Sequence, residues 1–198
     1  MTVLTKQLSS TNREALRRHF LALPREDVRL RFGSSMSAEG INAYVDKIDF
    51  DRDAVFGVYD DNLQLSGVAH LALDTEHDAA ELGISVLPGQ RGQGMGTMLF
   101  ERAESHARNH YIKILFMHCL SENQPMIHIA SKLGMRVVAA DIGESDAHLE
   151  LTPPDAANVA NELMHEKAAV WDIAMKAQFL SAKKIAQAMA GKRKNELS

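Results

Sequence analysis

The chain has a single cysteine, Cys119, in 198 residues. That excludes an internal disulfide framework and suits a reducing cytoplasm. No run of about 18 apolar residues is present, as a membrane-spanning helix needs. The opening MTVLTKQLSS has no apolar core of signal-peptide length. Charge of one sign is not concentrated either. The net charge is −4, and no Lys/Arg block is dense enough to line a nucleic-acid groove. These absences lead to the expectation of a cytoplasmic protein with neither a nucleic acid nor a membrane as partner. With 45% hydrophobic and 24% charged residues, there is enough apolar material for one buried α/β core plus an appendage.

Helical and strand periods alternate along the chain. Thr11-Asn12-Arg13-Glu14 reads as a capping box before a helix with Leu16 and Phe20 on one face. Pro24-Arg25-Glu26-Asp27 opens a short turn or helix, and Ser37-Ala38-Glu39-Gly40 precedes a third helix with Ile41, Tyr44, Val45 and Ile48 at helical spacing. Residues 53–60 and 63–74 read as two strands joined at Asp61-Asn62, and 79–88 as a further strand stopped by Pro88. A helix over 95–110 is followed by a near-continuous apolar strand at 112–120. A helix closed by Gly134 then leads to a hairpin of 135–142 and 147–152. The pattern predicts a mixed α/β sheet of six to seven strands flanked by helices. Pro153-Pro154 ends that unit, which divides the chain into a domain over 1–153 and a helical extension over 154–198.

The most informative stretch is LPGQRGQGMGTMLF, residues 87–100, with glycines at 89, 92, 94 and 96 where a helix begins. Such a loop lets backbone N–H groups approach a phosphate, and the helix dipole favours the negative charge. A nucleotide-triphosphate loop needs a Lys-Ser/Thr pair after its last glycine, and Thr97 follows Gly96 without the lysine. The dinucleotide fingerprint fails as well, because its third glycine would fall on Thr97. What remains is Arg91-Gly92-Gln93-Gly94-Met95-Gly96, an Arg-x-x-Gly-x-Gly pattern after a strand. Its N–H groups from about 91 to 96 are placed to satisfy a pyrophosphate.

Residues 81–107, ELGISVLPGQRGQGMGTMLFERAESHA, resemble the cofactor-binding strand, loop and helix of the GNAT superfamily of N-acyltransferases. MHCLSENQPMIHIASKLGMRVV, with Asn123 in a turn and Lys132-Leu133-Gly134-Met135 after a helix, is similar to the family's next elements. LPREDVRLRF and IDFDRDAVFGV are similar to the start of GNAT domains in bacterial protein-lysine acetyltransferases, so the resemblance spans roughly 10–152. It implies a GNAT fold, acetyl-CoA as co-substrate, no metal, and direct attack by a primary amine of a protein lysine. A small-molecule amine (a polyamine, an amino acid or an aminoglycoside) is the alternative acceptor, and a non-catalytic acyl-CoA-binding regulatory module is the alternative class.

The resemblance also implies site residues. Glu81 corresponds to the general base, and Val86 and Leu87 to the strand that binds the pantetheine arm, with a backbone N–H near Val86 as oxyanion donor. Arg91, Gly92, Gln93, Gly94, Met95, Gly96 and Thr97 correspond to the phosphate loop. Asn123 corresponds to a cofactor contact, a role compatible with capping the helix it precedes. The sequence departs from the family where many members carry a tyrosine that protonates the leaving thiolate: that position is Ala130.

Other candidates have plainer readings. His70 and His118 lie on strands and could reach the cleft, but belong to no metal-spaced cluster. His106 and His110 form an i, i+4 pair without a third ligand and read as a polar helix face. Cys119 reads as a small core residue. In the extension, Trp171, Met175, Phe179, Ala182, Ala186 and Met189 fall on one stripe of one long or two shorter helices. Such a stripe must dock on its own domain, on a second copy to form a homodimer, or on another protein.

Overall fold

The computed structural model describes residues 4–74, 76–140 and 143–195, with the backbone alone from 189 onward. Asp141 and Ile142 of the expected strand 135–142, and the side chain of Met189, lie outside the described residues. The order along the chain is β1 (Thr5–Leu8), α1 (Arg13–Leu21), α2 (Arg25–Phe32), α3 (Ala38–Lys47), β2 (Ala54–Tyr59) and β3 (Leu65–Asp74). Then come β4 (Ala79–Val86), α4 (Met95–Asn109), β5 (Ile114–Leu120), α5 (Gln124–Lys132), β6 (Arg136–Ala139), β7 (Glu144–Glu150) and α6 (Ala156–Asn195). The seven strands form one sheet in the order β1-β2-β3-β4-β5-β7-β6. All neighbours are antiparallel except β4 and β5, which are joined through α4 and run parallel.

Strand alternation sorts the side chains onto two faces. Ala80, Leu82 and Ile84 of β4, with Leu115 and Met117 of β5, pack against Leu99, Phe100 and Ala103 of α4. On the opposite face Val55, Leu65 and Val68 pack against Leu16, Phe20, Ile41 and Val45 of α1 and α3. Glu81, Gly83 and Ser85 therefore point to the α1–α3 face, as do His70 and Ala72, their neighbours on β3. This period-two rule decides which residues enter the cleft described below.

Local devices start and stop the helices. Ser37 Oγ accepts the Gly40 N–H at 3.2 Å and caps α3. α2 stops at Gly33 (φ +75°), a left-handed position that glycine adopts without strain. The capping box expected over Thr11–Glu14 is replaced by a contact one turn earlier. Asn12 Oδ1 accepts the Ser9 N–H at 2.9 Å, and residues 10–12 form a 3₁₀ turn ahead of α1.

The long C-terminal helix docks through a polar face, not through the apolar stripe. Asn158, Glu162, Glu166 and Ala169 face inward against α4 and β1. Trp171 (72% exposed), Met175 and Phe179 face solvent. The physical reason lies on α4, whose outer face offers Arg102, His106 and Asn109, a surface that takes a carboxylate and not a methyl group. His106 belongs to a polar helix face, and that face is buried beneath α6. Among the described residues no helix is long and apolar enough to cross a membrane.

One buried histidine ties α1 to the sheet. The His19 ring, only 2% exposed, lies 2.9 Å from the Leu65 carbonyl through Nδ1 and 2.8 Å from Ser85 Oγ through Nε2. A neutral ring satisfies both, donating from Nδ1 and accepting the hydroxyl proton at Nε2. Burial pushes its pKa down from 6.5 to about 4. Between those values the unfolded chain binds a proton that the folded chain refuses, so stability falls as pH falls. The loss across that window is about 3 kcal/mol. Urea midpoints measured from pH 7 to pH 4.5 are expected to decline in the native chain and to decline less in His19→Gln. Equal slopes would contradict this assignment.

Candidate active site

The glycine loop leaves an uninterrupted series of donors. Gln90 N–H bonds the Leu87 carbonyl at 2.9 Å and Arg91 N–H bonds the Pro88 carbonyl at 3.3 Å, closing a 3₁₀ turn. The first bond of α4 runs from Met98 N–H to the Gly94 carbonyl at 3.0 Å. Between them the N–H groups of Gly92, Gln93, Gly94, Met95, Gly96 and Thr97 have no protein acceptor among the described residues. The free donors thus begin at Gly92, one residue later than expected, because the 3₁₀ turn consumes the Arg91 amide. Gly92 (φ +76°) and Gly94 (φ +77°) hold the left-handed turns that aim these groups outward. Gly94 is also the N-cap of α4 and brings no side-chain oxygen to occupy the first turn. Space above Gly89, Gly92 and Gly94 is open, with no atom within 4 Å of a Cβ built there. Outward donors, open space and a helix N-terminus are what a diphosphate requires.

The strand leading into the loop loses its partner halfway. β4 and β5 pair only over Ala79↔Ile114, Ala80↔Leu115 and Glu81↔Phe116, and beyond Glu81 they splay. Leu87 N–H bonds the Ser66 carbonyl at 2.9 Å, so alternation turns the amides of Ile84 and Val86 towards the open side. Arg91 stretches across the start of the loop. Its Nε donates to the Val86 carbonyl at 3.1 Å and its Nη2 lies 2.5 Å from Asp27 of α2. Asn123 caps α5 through Oδ1 to the Met126 N–H at 3.4 Å, and its Nδ2 donates to the Leu30 carbonyl at 3.3 Å. Both ends of its side chain are engaged, with one proton and one lone pair to spare.

Below the splay lies a cavity of about 380 Å³. Glu81, Glu144 and Asp146 give its wall three carboxylates, and His118 lies 2.5 Å from Asp146 through Nδ1. Glu81 stands at the last rung of the β4–β5 pairing, with its side chain exposed. Cys119 also borders the cavity and is half-buried, which corrects its reading as a core residue. Burial, then the nearby Asp146 carboxylate, pushes its thiol up, so it is no ready nucleophile. His106 and His110 stack at 3.9 Å away from this cavity.

The family model for the acetyltransferase (GNAT) family matches residues 19–135. The chain belongs to the GNAT acetyltransferase family. It is an acetyl-CoA-dependent N-acetyltransferase. Solved GNAT structures share the fold at low identity. The GNAT domain of S. lividans PAT is 17% identical, with a TM-score of 0.64 over 74% of this chain and 89% of that one. A putative acetyltransferase from Salmonella typhimurium with its cofactor acetyl-CoA is 17% identical, with a TM-score of 0.58 over 79% and 99%. Spermidine N-acetyltransferase from Vibrio cholerae, in complex with CoA and spermine, is 16% identical, with a TM-score of 0.59 over 75% and 95%.

Within this GNAT fold Ala130 is buried in the core beside α4, at 2% exposure. The cleft, in turn, holds His70 and His118, as their strand positions allowed, and also Arg31 and Tyr44, which sequence spacing did not single out. Tyr44 of α3 lies 2.6 Å from His70 Nδ1, and His70 Nε2 lies 3.2 Å from Asp53. Arg31 of α2 donates to the Tyr44 hydroxyl at 3.2 Å. Its guanidinium lies flat on Gly83, where a Cβ would come within 2.2 Å of it. Tyr44 had only its helical spacing to mark it, and its partners His70 and Arg31 are 26 and 13 residues away in sequence, beyond any local pattern.

Proposed function

We propose that this acetyltransferase transfers the acetyl group of acetyl-CoA to the ε-amine of a protein lysine, with Glu81 as general base. The observation that carries the reading is the continuity of the free amides of Gly92–Thr97 with the open edge of β4, which ends in the carboxylate-walled cavity at Glu81. From Val86 to Glu81 that edge runs about 17 Å in extended strand. Bound acetyl-CoA supplies the acetyl group activated as a thioester. The amides of Gly92–Thr97 hold its diphosphate, and those of Ile84 and Val86 face the arm and the carbonyl oxygen. Asn123 stands at the end of β5 with one proton left to offer.

An amine acceptor arrives protonated, because a lysine ammonium has a pKa near 10.4. Glu81 takes that proton directly or through a water, and Glu144 and Asp146 draw the cationic side chain into the cleft. The same three carboxylates suit a polyamine, which is the second reading. Release of free thiol from acetyl-CoA, with lysine peptides in one series and spermidine in another, separates the two. Glu81→Gln is expected to lower kcat/KM by about 10² or more. Near-native activity in that variant would dismiss Glu81 as the base.

A further inference from the structure

Tyr44, His70 and Asp53 form one hydrogen-bonded chain that runs inward from the cleft. Asp53 has a side chain 3% exposed and accepts from Arg52 Nε at 2.8 Å, from the Leu73 N–H at 3.3 Å and from His70. Burial opposes its ionisation, but the hydrogen bonds from His70 and Arg52 outweigh that cost and hold the carboxyl below the usual carboxylate range. An ionised carboxylate has no proton to give, so His70 donates from Nε2. In the tautomer that carries its proton on Nε2, the Nδ1 lone pair faces the Tyr44 hydroxyl across 2.6 Å and can accept its proton. Arg31 donates to the phenol oxygen from the other side. Burial, which Arg31 only partly opposes, pushes the Tyr44 phenol up, so it enters the reaction protonated, and the order Arg31→Tyr44→His70→Asp53 leads its proton inward.

This chain opens into the cavity that holds Glu81, since Arg31, Tyr44 and His70 all line it. Arg31 puts a cation at the cleft end of the network, where it also lies over the Phe32 and Tyr44 rings at 4.9 and 6.0 Å. Among the described residues Arg31 has no carboxylate within ion-pair distance, and Tyr44 is its side-chain hydrogen-bond partner. The reaction also has a place for a second proton-transfer group. An ammonium carries three protons on nitrogen and the amide product keeps one, so two must leave, whereas Glu81 holds one at a time. Ala130 offers no hydroxyl for the other.

We infer that Tyr44 is a second catalytic residue of this acetyltransferase, with His70 and Asp53 positioned behind it as a proton relay. The inference rests on the acetyl-transfer reading above. Glu81 removes the first proton, converting ammonium to amine. As the N–C bond forms and the C–S bond breaks, the phenol oxygen takes the second proton from nitrogen. Its own proton passes to His70 Nδ1, which leaves an imidazolium against the Asp53 carboxylate. The sulfur departs with the electron pair of the C–S bond. The proton on His70 returns through Tyr44 to that thiolate, and the proton on Glu81 goes to solvent. The charged groups that face Tyr44 and His70 are Arg31 from α2, Asp53 ahead of β2 and Glu81 from β4.

The test uses the full chain with acetyl-CoA and a lysine peptide. Tyr44→Phe keeps the ring that packs edge-on against Phe32 and Phe20, at 4.8 and 5.5 Å between centroids, and removes the hydroxyl alone. Its kcat is expected to fall by about 10² or more while the KM for acetyl-CoA stays within about threefold. His70→Gln, which can hydrogen-bond but not carry a proton, is expected to fall similarly. The double variant is expected to fall no further, as for residues acting as one unit. A Tyr44→Phe enzyme with native kcat, or two losses that multiply, overturns the relay. Should either variant fail to fold, a proton inventory on the native enzyme decides: a curved dependence of kcat on deuterium content supports the relay, and a linear one overturns it. A native chain inert towards the peptide instead overturns the acceptor reading and is thereby distinguished from failure of the relay.

Discussion

Gly94→Val is expected to abolish measurable coenzyme A binding while leaving the chain folded. Gly94 sits at φ +77°, where a β-branched residue is strained, yet nothing lies within 4 Å of a Cβ there. The folded chain therefore loses only the backbone penalty, about 1–2 kcal/mol. Binding loses more. The new side chain projects into the space in front of the free amides, and relaxation of its φ turns the neighbouring N–H groups away. A hydrogen bond to a charged group contributes about 1.5–3 kcal/mol. Losing two such bonds raises Kd by about 10² or more. Gly89→Ala is the matched control, because Gly89 also faces open space but lies before the free donors and has no left-handed φ. Calorimetry is expected to give native affinity for Gly89→Ala and no detectable heat for Gly94→Val. Equal affinities would mean that the diphosphate sits elsewhere.

The second large effect is on stability. Glu162 of α6 lies 2.5 Å from Arg102 Nη1 and 2.7 Å from His106 Nδ1, and it accepts from Asn109 as well. Arg102 is 5% exposed on its side chain and has Glu166, at 3.5 Å, as its other carboxylate. Glu162→Ala leaves a buried guanidinium with one distant partner, a loss of about 3 kcal/mol at the low end of what a broken buried pair costs. For a chain of this length that lowers Tm by about 10 °C. Burial works against ionisation of Glu162, but its bonds to His106, Arg102 and Asn109 outweigh that cost and depress its pKa from 4.5. A depressed carboxyl contributes stability above its unfolded pKa and loses it as pH falls towards the folded one. The difference between native chain and variant should therefore be full at pH 7 and shrink below about pH 4.5. Thermal melts at both values check it. A variant with native Tm at pH 7 would show that α6 is not held by this cluster.

What was legible in the sequence follows the range of the interactions involved. The glycine loop, β4 and α4 are written in one contiguous stretch, and their order and boundaries could be read because the signal is local. The first strand, Thr5–Leu8, was not foreseen. It is four residues long and mostly polar in sequence, and it exists through pairing with β2 some fifty residues later and through cover from α6. Of the docking partners expected for the apolar stripe of α6, its own domain is excluded for a related reason. Apolar spacing pointed to Trp171, Met175 and Phe179, whereas Glu162 docks because Arg102, His106 and Asn109, more than fifty residues earlier, await it. In the cleft, Glu81 was marked by the resemblance to the GNAT family, and the fold puts it on the cavity wall. The hydrogen-bonded chain of Tyr44, His70 and Asp53 joins a helix, a strand and a loop that only the folded sheet brings together.

The claim that the main-chain donors of the loop hold the diphosphate is open to direct observation by amide NMR. In a titration of the ¹⁵N-labelled chain with coenzyme A, the resonances of Gly92, Gln93, Gly94, Met95, Gly96 and Thr97 are expected to move together and downfield, as N–H groups do on bonding to phosphate oxygens. Pantetheine, which lacks the diphosphate, is expected to leave them in place. Saturable binding of coenzyme A that shifts other amides and leaves these six unmoved would contradict the claim.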